Sequence, residues 1–89
     1  MLNPIFTSKF KKDFQRVKAQ NKALVKLDEV MQTLEEEKTL APKHKDHPLH
    51  NNWAGRRECH IEPDWLLIYK IEEQTITFER TGSHSELFG

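Results

Sequence analysis

Trp65-Leu66-Leu67-Ile68-Tyr69 is an apolar run with no polar interruption, and its reading decides the fold. A strand with one solvated face alternates apolar and polar residues, so a continuous run fits a central strand covered on both sides. Pro63-Asp64 before it reads as a turn, and Arg57 to Ile61 as a strand alternating between two faces. Beyond it, Glu72-Glu73-Gln74 is a polar turn, and Thr75 to Thr81 is a further β-prone segment stopped by Gly82. Ser83 to Gly89 is left as a short tail. The C-terminal half is thus a three-stranded antiparallel meander that needs cover.

The N-terminal half supplies it. Phe6, Phe10, Phe14 and Val17 recur at helical spacing, with Thr7 or Ser8 as the cap, and Asn21 interrupts the pattern. Leu24, Leu27, Met31 and Leu34 form a second stripe. It ends near Glu35-Glu36-Glu37, whose charges oppose the helix macrodipole and predict a frayed end. Asn3-Pro4-Ile5-Phe6 reads as a short N-terminal edge strand. The expected class is α+β, two N-terminal helices packed on a small antiparallel sheet. No repeat or low-complexity linker divides the chain.

At 89 residues, with 36% hydrophobic and 31% charged residues, residues 1–89 are expected to form a single soluble domain. No apolar run approaches the length of a bilayer span, so no membrane role is expected. Met1-Leu2-Asn3-Pro4-Ile5 lacks the regions of a signal peptide. Cys59 is the only cysteine, which excludes an internal disulfide or a cysteine metal cluster. These features point to the cytoplasm. Net charge is zero, unlike most nucleic-acid binders, yet residues 1–27 carry seven cations against Asp13 alone, a net of +6. Such a face can attract phosphates, or it can simply be a solvated helix surface.

Lys38 to Trp53 is irregular and long for a loop in so small a domain, a length usually tied to function. It holds His44, His47 and His50, whose spacing invites a metal reading. Pro48 breaks any helix that would align them, and structural zinc sites normally recruit cysteines or four closed ligands. Incidental surface histidines and proton-transfer groups are the other readings. If Cys59 and Ile61 point inward, alternation puts Glu58, His60 and Glu62 on the opposite face. Taken alone, His60 is an ordinary polar-face histidine, Asp64 a turn residue and Trp65 core. Arg80 shares parity with Ile76 and Phe78, which aims it at the apolar face unless the strand end opens onto a cleft. Phe88 either packs on the nearest helix or offers a stacking surface.

Together these residue types suit metal-free RNA cleavage. That reaction needs a base for the 2′-hydroxyl proton, an acid for the departing 5′-oxygen and a cation for the phosphate. Histidine serves either proton role near neutrality, arginine matches phosphate oxygens with its fork, and aromatic rings hold unstacked bases.

Lys45-Asp46-His47-Pro48-Leu49, Trp53, His60 to Lys70, Phe78 to His84 and Leu87-Phe88-Gly89, in that order, resemble YafQ-type toxins of the RelE/ParE superfamily. The likeness is strong from Lys45 onward and weak over the helices. It implies two helices on a small antiparallel sheet, and cleavage of messenger RNA in the ribosomal A site. It also implies inhibition by a cognate antitoxin, with operator DNA met only through the antitoxin complex. The likeness makes His47, His60, Asp64 and His84 the proton-transfer set, Arg80 the phosphate contact, and Phe88 and Trp65 aromatic supports, with no metal or cofactor. His84 is the expected principal acid or base. His44 and His50 lie outside the matched positions. A gyrase-inhibiting toxin of the ParE branch, which would not need the histidines, and a catalytically silent module acting with its antitoxin in operator repression are the alternatives.

Overall fold

The run that organises the sequence also organises the molecule. In the computed structural model, which describes residues 1–89, Trp65 to Tyr69 are each at most 1% exposed. They begin the central strand of a five-stranded sheet. β1 (Asn3–Phe6) leads into α1 (Ser8–Ala19) and α2 (Leu24–Glu35). Two 3-10 turns, Pro42–His44 and Asn51–Trp53, flank the two-residue strand β2 (His47–Pro48). β3 (Arg57–Glu62), β4 (Trp65–Glu72) and β5 (Thr75–Gly82) form the meander, and α3 (His84–Phe88) follows.

The strand order is β1-β5-β4-β3-β2. The meander is antiparallel as expected, but β1 runs parallel to β5, so the sheet is mixed. Parallel neighbours require a long crossover, and the helices with the strands that follow provide it.

Apolar residues on both sides of β4 meet separate partners. Trp65, Leu67 and Tyr69 join α1 and α2 in the main core, with Phe10, Val17, Leu27, Val30 and Phe78. Leu66 and Ile68 face the other way and meet Leu87 of α3, with Leu49 and Trp53 packed at the margin. Thr7 caps α1 by accepting from the Phe10 amide at 2.9 Å.

Two expectations fail on capping. The end of α2 is closed rather than frayed: Glu37 takes positive φ, and the Glu37 and Lys38 amides return to the carbonyls of Leu34 and Thr33. The Leu2 amide donates to the Glu35 carbonyl at 2.8 Å, and Lys38 reaches Glu36 at 3.1 Å. The tail is α3, started by a capping box in which Ser83 accepts from the Glu86 amide and Glu86 accepts from the Ser83 amide. No helix is long and apolar enough to cross a membrane.

Candidate active site

Two bulges decide which side chains share the face away from α1 and α2. On β3, His60 pairs with Leu66 and Glu62 with Trp65, leaving Ile61 as the extra residue. Residues opposite one another in a ladder share a face. Glu58 and His60 therefore lie with Ile68 and Leu66, as alternation predicts, but Glu62 is turned to the helix side, where it binds Lys26 at 2.8 Å. On β5, Arg80 pairs with Ile68 and Phe78 with Tyr69, so Glu79 is extra and parity reverses. Arg80 is thereby released from the face of Phe78, correcting the expectation from simple alternation.

The centre of this face is Glu58, a carboxylate only 4% exposed. Its Oε2 lies 3.0 Å from His47 Nε2 and 3.7 Å from His60 Nε2. β2 brings His47 there by pairing it with Glu58 across the sheet edge, so the irregular segment is ordered at this histidine. His60 Nδ1 lies 3.2 Å from the Pro63 carbonyl; donating there leaves Nε2 as the lone-pair nitrogen. His47 has an acceptor at each ring nitrogen, Pro48 O at 3.2 Å and Glu58, an arrangement that the imidazolium form satisfies.

The α3 cap delivers the third imidazole. The His84 ring centroid is 6.2 Å from that of His60 and 5.7 Å from that of Phe88. Asp64 accepts from the His84 amide at 3.2 Å, and its Oδ1 is 3.7 Å from His84 Nδ1. The turn aspartate thus serves α3 rather than its own backbone. Phe88 meets Trp53 edge-on at 5.7 Å and keeps 41% of its surface exposed.

Arg80 sits at the margin of this cluster. It lines a cleft of about 360 Å³ with Trp53, Lys9 and Arg56, so part of the basic N-terminal surface borders the site. Its Nε and Nη2 donate to Asp13 at 2.6 and 3.2 Å, and this bonding holds the guanidinium above the ordinary arginine range. Trp65 is not available to a substrate: it is core, and its Nε1 donates to Thr81 Oγ1 at 2.9 Å. His44 binds the His60 carbonyl at 2.7 Å, and His50 is exposed away from these bonds. Another cavity, of about 690 Å³, lies between α2 and the 39–45 segment and borders the site through His60 and Pro63.

The His44/His47/His50 spacing does not assemble a metal site. His47, Glu58 and His60 stand close enough to hold an ion, with one ligand atom from each within 4.8 Å of the others. Two imidazoles and a carboxylate suit zinc or copper.

Sequence reasoning placed Glu58 on the right face but gave it no role, because a carboxylate on a polar face carries no signature of burial. The capping box was legible as Ser83-His84-Ser85-Glu86. Asp13 was counted only as a charge.

A sequence profile described as bacterial toxin of type II toxin–antitoxin system, YafQ, matches residues 2–89. A protein of Escherichia coli strain BL21-DE3 named mRNA interferase toxin YafQ is 41% identical over 85 residues, covering 94% of this chain and 92% of that one. The crystal structure of the E. coli DinJ–YafQ complex contains a chain that superposes with a TM-score of 0.92 at 39% identity, covering 100% of both chains. A metal-bound toxin from Helicobacter pylori superposes with a TM-score of 0.93 at 44% identity, covering 99% of this chain and 100% of that one. The match extends through the two helices as well as the sheet and α3, and on this evidence the chain belongs to the YafQ family of bacterial type II toxin–antitoxin toxins.

Proposed function

We propose that this toxin is a messenger-RNA interferase that cleaves in the ribosomal A site without metal and is held inactive by a cognate antitoxin. The observation that carries the reading is the convergence of His47, His60 and His84, from three separate stretches, around Glu58 and Asp64 on one open face. The relative's name, mRNA interferase, agrees with it, and the DinJ–YafQ complex supports an antitoxin partner.

In this reading His60 Nε2 accepts the proton of the 2′-hydroxyl, and the freed oxygen attacks the adjacent phosphorus. The bond from phosphorus to the 5′-oxygen breaks, and His84 Nε2, which faces no protein partner, gives that oxygen its proton. The products are a 2′,3′-cyclic phosphate and a 5′-hydroxyl. Asp64 orients the His84 ring, while the His47 imidazolium, held by Glu58, and Arg80 stabilise charge on the phosphate. Phe88, backed by Trp53, supports a base, a contact worth about 1–3 kcal/mol. The groups form an open surface rather than a closed pocket, which suits a strand presented by a larger body such as the ribosome. Operator DNA is met only through the antitoxin complex, and the setting is the cytoplasm.

Incubating the purified chain with translating ribosomes and mapping messenger 3′ ends tests this. Codon-phased cleavage that is lost in His84→Ala supports the reading. An intact message, or supercoiling inhibition of gyrase that survives His84→Ala, overturns it.

A further inference from the structure

Asp46 has no part in the reaction above, yet it is bound from two sides. The Tyr69 hydroxyl lies 2.7 and 2.8 Å from its two oxygens and donates to the carboxylate, while Arg57 Nε donates to Oδ1 at 3.1 Å. Tyr69 is buried, and burial together with Asp46 pushes its hydroxyl well above the ordinary range, so it stays a donor. Arg57 and Tyr69 are ladder partners and share the helix-side face. His47, the next residue after Asp46, is opposite Glu58 on the other face. Asp46 immediately precedes β2, with its side chain held beneath the sheet while His47 stands above it, so fixing Asp46 fixes the peptide from which His47 projects. β2 is only two residues long and contains Pro48, which has no amide to donate; the Leu49 amide, on the Arg56 carbonyl at 2.9 Å, ties its far end, and Asp46 ties the near one.

We propose that Asp46 is a positioning residue for catalysis, a staple clamped by Tyr69 and Arg57 that sets His47 against Glu58. The proposal rests on His47 belonging to the active site, and its test has an arm independent of activity.

Tyr69→Phe keeps the buried ring and removes only the hydroxyl, and Asp46→Ala removes the staple. In the free, full-length variants, the His47 ring-nitrogen NMR shifts are expected to move toward those of Glu58→Gln, in which His47 faces no carboxylate. On programmed ribosomes, kcat is expected to fall at least tenfold in Tyr69→Phe, with KM within twofold of the unaltered chain. A merely structural bond would lower thermal stability and leave both quantities unchanged. Unchanged His47 shifts and unchanged kcat in Tyr69→Phe overturn the proposal, whether or not Asp46→Ala folds. Absence of cleavage by the unaltered chain sinks the active-site reading alone, because the ring shifts still decide the staple.

Discussion

Arg80 Nε donates to Asp13 Oδ2 at 2.6 Å, tying a cation at the margin of the site to a carboxylate on α1. Asp13 is 3% exposed and also accepts from Arg16 Nη1 at 2.9 Å and from the Thr81 amide at 3.2 Å. The free edge of β5, the first helix and Arg80 therefore share one anchor. Removing one partner of such a buried set strands the others. Asp13→Ala is expected to lower stability by about 3 kcal/mol or more, read as a shift in the urea midpoint. Arg80→Ala should cost about 1.5–3 kcal/mol and also slow cleavage. Lost stability with normal turnover would make Arg80 structural alone.

His84 and His47 have side chains 59% and 48% exposed and contribute no core packing. Alanine at either position is expected to slow single-turnover cleavage by about 100- to 1,000-fold, with circular dichroism unchanged in both and melting unchanged in His84→Ala. An unfolded variant would contradict the assignment.

Trp65 tests the opposite case. Trp65→Phe should lower stability by about 1–2 kcal/mol, through lost packing and the lost bond to Thr81, and leave KM on ribosomes unaltered. A raised KM with undiminished stability would restore a substrate contact.

The α3 cap should respond to acid. Bonding to the Ser83 amide, with Gln20 and Arg16 nearby, holds the Glu86 carboxyl below its ordinary value of 4.5. A carboxyl with a depressed folded-state pKa contributes stability above its unfolded value and loses it as pH falls through the folded one. The His84 and Phe88 amide resonances are therefore expected to shift together below about pH 4.5, and Glu86→Gln should flatten that titration. A profile unchanged by Glu86→Gln would exclude the cap as its source.

His47, Glu58 and His60 can accept a divalent transition metal only by giving up the lone pairs and protons the proposed reaction needs. Added copper(II) is expected to inhibit cleavage, chelator to restore it, and His47→Ala to weaken inhibition by tenfold or more. Stimulation by copper would reverse the roles given to these side chains.

The fold was legible where pattern and packing agree. The Trp65–Tyr69 run, the two helical stripes and the Asn3–Phe6 strand all stand where their residues predict. What the pattern does not carry is parity across a bulge: Ile61 and Glu79 are ordinary strand residues, and only pairing to a partner reveals them as extra. Hence Glu62 was assigned to the wrong face and Arg80 was aimed at the core. A different limit hid Glu58: its face was read correctly, but its burial beside His47 comes from the pairing of β2 with β3, which residue type does not signal. Trp65 was core by its own residue type, and the family likeness drew it toward the substrate. The α3 helix was missed differently: five residues are too few for a periodic stripe, though its capping box was present.

The chemistry of the new RNA ends tests the central claim most directly. In chelator, cleavage by the unaltered chain should leave a 2′,3′-cyclic phosphate or its 3′-phosphate hydrolysis product upstream, and a 5′-hydroxyl downstream. A 3′-hydroxyl paired with a 5′-phosphate, formed only when divalent metal is supplied, would contradict proton transfer from the 2′-hydroxyl to His60 and from His84 to the 5′-oxygen.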